Sequence, residues 1–283
     1  VLLNWRLSDG ELDYILQDSG AHLVLADDNF LKRAEKMDGV ASVRIVRLDT
    51  LLEKDSGAAV DYDEETITGN DAFCIIYTAA VDGHPKGAVL THNNLLSANL
   101  QVICTMGLSE SDVHLTILPL FHITGLNMAL ATMQAGGSNV VIEKFAEEKV
   151  LEMTLQAGVT LWGSFPPILQ RMVEAIKSAP EAIASLRYVV GLDHPENIEL
   201  FESITNARFW ILYGQSETSG FVTFSQASDR LGSAGQAGLL SRFRLVDNGD
   251  KEVGTGEIGE IVVQGPLVFQ GYWQLPEVTA FFF

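Results

Sequence analysis

The stretch FCIIYTAAVDGHPKGAVLTH, residues 73–92, decides how this chain is read. An apolar β-type run, 73–77, enters a turn carrying Gly83, Pro85, Lys86 and Gly87, and a second apolar run, 88–90, leaves it. A Gly/Lys loop held between two strands offers backbone N–H groups and one ammonium to an anion such as phosphate. Asp82 lies in the same loop and puts a negative charge where a phosphate would want none. Asp, Gly and Pro are also ordinary turn formers, so the loop taken alone reads equally well as a β-turn.

Around this loop, apolar strand-like runs alternate with amphipathic helix-like windows. Strands are expected at 22–26, 43–48, 114–118, 139–142, 160–162, 186–190 and 208–212, and helices at 9–18, 93–106, 124–135, 146–157, 166–177 and 195–205. That alternation predicts an α/β fold of stacked, mostly parallel layers. Ser8 stands before an acidic first turn, Pro166 and Pro195 suit helix starts, and Gly107, Gly136 and Gly158 suit helix ends. From about Ser225 glycines become frequent and short β-type runs replace helices, with 247–250 a hairpin-like turn. This predicts a division into 1–70, part of a first α/β subdomain; 71–224, a second α/β subdomain; and 225–283, a small antiparallel, barrel-like β subdomain. The acidic stretch 61–66 reads as a surface connector.

Bulk properties narrow the function classes. The chain has 283 residues, 47% hydrophobic and 19% charged, which is globular in character. A formal charge of −19 opposes nonspecific binding to nucleic acid or anionic lipid, so an anionic ligand must be held by local groups. No apolar run is long enough to span a membrane, and no charged-then-apolar leader is visible at Val1. Cys74 and Cys104 give no metal-ligand spacing, and a reduced, cytoplasmic setting is expected.

Three further segments carry chemical side chains after strands. Leu118-Pro119-Leu120-Phe121-His122-Ile123-Thr124-Gly125 puts His122 beyond a parallel strand, where α/β sheets bind ligands, although a capping or core histidine is the commoner case. Tyr213-Gly214-Gln215-Ser216-Glu217-Thr218 offers a hydroxyl and a hard oxygen ligand, and equally resembles a strand-to-helix cap. The last, Gly265-Pro266 with Gly271-Tyr272-Trp273 and Pro276-Glu277-Val278-Thr279, is by itself an aromatic β-turn.

In this order and spacing, the segments resemble the adenylate-forming superfamily: acyl-CoA synthetases, luciferases and peptide-synthetase adenylation domains. Its phosphate loop reads roughly YTSGTTGxPKG before a T-H pair, and Tyr77, Thr78, Gly83, Pro85, Lys86, Gly87, Thr91 and His92 match. The PLFH, YGxTE (Ser216 for Thr) and GPxVxxGYWxxPExT segments follow in the family's order, and Asn4-Trp5-Arg6-Leu7 with Glu11-Leu12 resembles its opening.

The resemblance implies ATP-dependent activation of a carboxylic acid to an acyl adenylate, then transfer to coenzyme A, with Mg²⁺ as cofactor. It assigns the β- and γ-phosphates to Thr78, Ala79, Ala80, Val81, Asp82, Gly83, Lys86 and Gly87, with Lys86 as the point charge. Glu217, with Thr78, would hold Mg²⁺, and Ser216 would meet the α-phosphate. Gly191, Tyr213, Gly214 and Gln215 would line the nucleotide pocket. His122 would stand where carboxylate and α-phosphate meet, and Gly125, Trp162, Gly163 and Ser164 would wall the acyl tunnel. The absence of an evident acidic partner for a substrate amine favours a fatty acid, with an aryl or aryl-propenoic acid as alternative. A non-catalytic binding module on this fold is the rival from another class. The family's ribose-binding Asp, hinge and mobile C-terminal domain would lie beyond Phe283, so the segment alone is expected to be inactive.

The chain departs from the pattern at Ala79-Ala80-Val81-Asp82, where hydroxyl donors are usual. A hydrogen bond to a charged group is worth roughly 1.5–3 kcal/mol, so their loss costs several kcal/mol of grip. Asp82 pointing inward would add about 4 kcal/mol of repulsion at ~4 Å. A loop tip favours the outward orientation. At Gly191-Leu192-Asp193-His194-Pro195, bulkier residues replace a Gly-Gly-Ala-Pro type of turn.

Overall fold

Ser8 accepts the Glu11 N–H while the Glu11 carboxylate accepts the Ser8 N–H, a closed capping box that starts α1 (Asp9–Ser19). Gly20, in the left-handed region at φ 64°, stops it. Leu12, Ile15 and Leu16 recur at helical spacing, and all three are buried. The computed structural model describes residues 1–34, 36–37, 43–53, 66–78 and 83–283. Contacts divide them into two units, Val1–His92 with Gln270–Phe283, and Asn93–Phe269. This division is by contact, where the three-part sequence division is by element type. Ala79, Ala80, Val81 and Asp82 lie outside the described residues, as does the acidic connector apart from Thr66.

In the first unit, α1 is followed by β1 (Leu23–Ala26), α2 (Asp28–Ala34), β2 (Arg44–Arg47) and α3 (Leu48–Glu53). Strands β1 and β2 pair in parallel, and Leu12, Leu16, Val24, Ala26 and Met37 form their core. Then β3 (Ala72–Tyr77) and β4 (Gly87–Thr91) form an antiparallel hairpin whose last pair is Tyr77 with Gly87.

The second unit carries α4 (His92–Met106, of which His92 counts with the first unit), β5 (Val113–Thr116), α5 (Ile123–Gln134), β6 (Ser138–Val141), α6 (Glu147–Ala157), β7 (Leu161–Ser164), α7 (Ile168–Ser178), β8 (Tyr188–Gly191), α8 (Pro195–Ile204), β9 (Arg208–Gln215), β10 (Gly220–Gln226), β11 (Arg242–Val246) and β12 (Glu260–Gln264). Six strands form one sheet in the order β10-β9-β8-β7-β5-β6. All neighbours are parallel except β10, which returns antiparallel beside β9. One face buries Trp162, Phe201 and Phe209 with residues of α6, α7 and α8; Met128, Trp210 and Phe221 belong to a second cluster with residues of α4 and α5. Truncating such an aromatic costs about 3–5 kcal/mol. The chain then rejoins the first unit as β13 (Gly271–Tyr272), antiparallel to β4, and α9 (Pro276–Phe281).

The parallel α/β expectation holds, with shifts that have physical causes. Strand β5 ends at Thr116, two residues before the expected end, because the Ile117 N–H turns back to the Leu115 carbonyl at 2.9 Å. Helix α7 starts at Ile168 rather than Pro166, with Pro167 at its cap. The antiparallel character after Ser225 holds as β11 paired with β12, while β13 joins β4 instead of these two.

Candidate active site

On the first unit, the Thr78 N–H donates to the Lys86 carbonyl at 3.0 Å, which closes the chain around residues 79–85. Gly83 has φ +116° in open space, a conformation that glycine adopts freely. A Cβ on Gly87 would stand 2.7 Å from Ile75 Cγ2 and 3.1 Å from the Tyr77 ring, so only glycine lets the hairpin close there. The Lys86 ammonium lies 5.6 Å from the centre of the Tyr272 ring on β13, a cation–π contact that aims the side chain. The Trp273 N–H donates to the Gly87 carbonyl at 2.7 Å, and its indole N–H donates to the Asp18 carbonyl at 2.9 Å. Tyr77 donates its hydroxyl to Asp18 Oδ2 at 2.6 Å, and burial, reinforced by that carboxylate, pushes its phenol far above the usual range. Sequence reasoning missed Tyr272 as a partner of Lys86; its signal was the aromatic pair after Gly271.

On the second unit, His122 is the exposed N-cap residue of α5, six positions beyond the end of β5. Its ring lies 4.7 Å from that of Phe121, which is buried. Gly125 is required because a Cβ there would meet the Pro119 oxygen at 2.5 Å and the Leu118 oxygen at 2.8 Å. Gly163 faces the same loop, and its Cβ would run into the Leu118 side chain. Leu118 therefore brings Gly125 and Gly163 together. Trp162 points to the opposite face of β7, fully buried in the cluster that includes residues of α6, α7 and α8. Ser164 is fully buried at the end of β7, and its hydroxyl oxygen carries no hydrogen bond. Gly191 ends β8 against the Ser164 carbonyl, too close for any side chain, and the next residue, Leu192, donates its N–H to that carbonyl. Asp193 Oδ1 accepts from the His194 N–H and from Asn197 Nδ2, tying the turn to the start of α8.

The segment 213–218 is not the start of a helix. Strand β9 runs through Tyr213, Gly214 and Gln215; residues Ser216–Thr218 make one 3₁₀ turn; and β10 returns antiparallel from Gly220. Thr218 Oγ1 lies 3.0 Å from both the Gln215 and Gly220 carbonyls and accepts the Gln215 N–H at 3.1 Å, which ties the tip shut. A Cβ on Gly214 would collide with the Gly220 carbonyl. Ser216 and Glu217 are thus presented, half-buried, on a narrow hairpin end; the Phe269 N–H donates to the Glu217 carbonyl at 2.8 Å.

Among the described residues, no group of three or more His, Cys, Asp or Glu side chains could hold a metal. Mg²⁺ needs no such cage when it rides on phosphates, since one or two carboxylates then suffice. Glu217 on its tied tip fits that donor set, and so does the Thr78 hydroxyl at the end of β3 on the first unit.

Residues 1–273 match the model of the AMP-binding enzyme family. The chain is 32% identical to a feruloyl-CoA synthase from Amycolatopsis sp over 99% of its own length and 57% of that protein's. It is 28% identical to the long-chain-fatty-acid–CoA ligase FadD13 of Mycobacterium tuberculosis, again over 99% of this chain and 57% of that one. The chain therefore spans a little over half the length of these curated relatives. Its fold is similar to that of the O-succinylbenzoate coenzyme A synthetase MenE from Bacillus subtilis, solved with ATP and magnesium ion: TM-score 0.87 at 26% identity, over 100% of this chain and 58% of that one.

Proposed function

Because this chain belongs to the AMP-binding enzyme family, we propose that it serves the ATP-dependent activation of a carboxylic acid and the transfer of the acyl group to coenzyme A. The observation that carries the reading is the tied tip at residues 215–220, which holds the Glu217 segment between Gly214, where a Cβ would collide with the Gly220 carbonyl, and Gly220 at φ +131°. In the first step a carboxylate oxygen attacks the α-phosphorus, the bond to the β-phosphate breaks, and pyrophosphate leaves. In the second, the thiol sulfur attacks the acyl carbon, AMP leaves, and the thiol proton passes to solvent. The protein has little covalent work to do, so positioning and charge dominate.

Lys86 neutralises phosphate charge, with the backbone of its loop around the β- and γ-phosphates. Ser216 donates its hydroxyl to the α-phosphate. Tyr213 lies beside adenine, and Gly191 and Gly214 leave room for the nucleotide. His122 orients the substrate carboxylate toward the α-phosphate. Glu217 would hold Mg²⁺, which when bound supplies charge neutralisation on the phosphates.

The acid is apolar, a fatty acid in the first reading. An aryl-propenoic acid is the second, favoured by the 32% identity to a feruloyl-CoA synthase over 99% of the chain. The test is pyrophosphate release by the full-length protein that carries this segment, given ATP, Mg²⁺, coenzyme A and a panel of alkyl, aryl and aryl-propenoic acids. Release with alkyl acids is expected, and Lys86→Ala and Glu217→Ala should each lower kcat/KM for ATP by about 100-fold or more. Release with aromatic acids alone would replace the first reading by the second. No release and no ATP-dependent thermal shift would leave a non-catalytic binding module.

A further inference from the structure

Helix α4 packs an apolar side into the second unit, yet it buries Asn94, Asn99 and Gln101. Burying an amide is costly unless its polar atoms are matched, so the partners of these side chains show what they brace. Gln101 Nε2 donates to the Phe221 carbonyl at 2.7 Å, and its Oε1 accepts the Leu240 N–H at 2.7 Å. Asn94 Nδ2 donates to the Pro266 and Val268 carbonyls, each at 2.8 Å, just before the Phe269 N–H that bonds to Glu217. Asn99 Nδ2 donates to Gln134 Oε1 at 2.9 Å, and Asn99 Oδ1 accepts from Asn127 Nδ2 at 2.9 Å.

Asn127 is wholly buried on α5, and its remaining oxygen carries no hydrogen bond. That oxygen stands 2.9 Å from where a Cβ on Gly220 would be. Gly220 (φ +131°) and Ser219 (φ 51°) both hold backbone conformations that side chains disfavour. A strained turn of this kind persists only where its surroundings over-determine it. Here Thr218 ties the tip from within, and the relay Gln134–Asn99–Asn127 backs it from behind.

We propose that Asn99 and Asn127 are positioning residues for Glu217: they fix the 216–220 turn, and through it the affinity for Mg-ATP, without touching nucleotide or metal. This rests on the reading that Glu217 serves Mg-ATP. An apolar pair of similar volume would fill the same space but lose the directional bonds from Gln134 through Asn99 that set the Asn127 amide against Gly220, so that packing contact would be free to shift.

The test uses the full-length protein that carries this segment, with Asn99→Leu, Asn127→Leu and Gly220→Ala, the last keeping both amides while pushing a Cβ against Asn127. The KM for Mg-ATP should rise about tenfold in each, with the dissociation constant for ATP by calorimetry in Mg²⁺ rising in parallel. The KM values for acid and coenzyme A should stay within twofold. A merely structural role would lower Tm and the active fraction but leave the KM of the folded remainder unchanged. Should the leucine variants fail to fold, Gly220→Ala and Asn127→Ser carry the measurement. An unchanged Mg-ATP KM in the folded variants, or a shift in the acid's KM instead, overturns the proposal. A wild-type chain that binds no Mg-ATP overturns the functional reading instead, so the two failures are distinct.

Discussion

At the β9–β10 tip, the Thr218 side chain ties Gln215 to Gly220, and Gly214 lets the strands close on one another. At the end of the β3–β4 hairpin, the described closure is main-chain, from the Thr78 N–H to the Lys86 carbonyl, supported by Gly87 against Ile75 and Tyr77. In the tip, side-chain identity and geometry are one and the same. In the hairpin, the described closure rests on the flanking strands and on Gly87.

The hardest blow to this contrast would come from glycine substitutions. Gly214→Ala drives a Cβ into the Gly220 carbonyl and should cost more than about 3 kcal/mol by denaturant unfolding. If Gly214→Ala were as mild as Gly83→Ala, the tip would not be the tighter of the two.

Acid should weaken the tip's unit next. Burial holds the fully buried His114 down at about 4, against an ordinary 6.5, even though its Nδ1 shares a hydrogen bond with Asn139 Oδ1. The unfolded chain therefore takes up this proton first as pH falls. The stability tied to neutral His114 is complete above about pH 6.5 and is lost progressively toward pH 4, by up to about 3 kcal/mol. Unfolding followed by Trp162 and Trp210 fluorescence, with Trp5 and Trp273 replaced by Phe, should show that slope, and His114→Gln should flatten it. A flat wild-type profile would remove the difference.

Gly83→Ala comes third, at about 1–2 kcal/mol, because its Cβ meets open space and only the positive φ resists it. Smallest of all, Asp82→Thr should leave stability unchanged and alter the KM for ATP by less than tenfold. A larger improvement would mean that this carboxylate opposes the phosphates, and that the loop depends on its side chains as much as the tip does.

Much of this was legible beforehand because it is local. Ser8 with Glu11, Pro195 at the start of α8, and Gly107 and Gly158 in the left-handed region write their geometry into a few adjacent residues. The positions of His122, Lys86 and Ser216–Glu217 at the ends of strands followed from the same alternation. The return strand β10 was missed because GFVTFSQ follows the motif with no turn signal other than the strained Ser219–Gly220 pair. Helices α2 and α3 were missed because they are short and carry little apolar periodicity. Trp162 reads as a pocket wall in sequence, whereas alternation along β7 sends it to the opposite face from Gly163. The amides of α4 and α5 look like surface residues in sequence, since an Asn gives no local sign that it is buried.

The amino-acid sequence alone determined the α/β class, the family and the chemistry-bearing segments, because periodicity, caps and motif spacing are properties of neighbouring residues. Only the tertiary structure decided that the Glu217 segment is a hairpin tip and that Asn99, Gln101 and Asn127 stand behind it. Those contacts join residues far apart along the chain, and which polar groups must be satisfied is settled only when distant elements pack and exclude water.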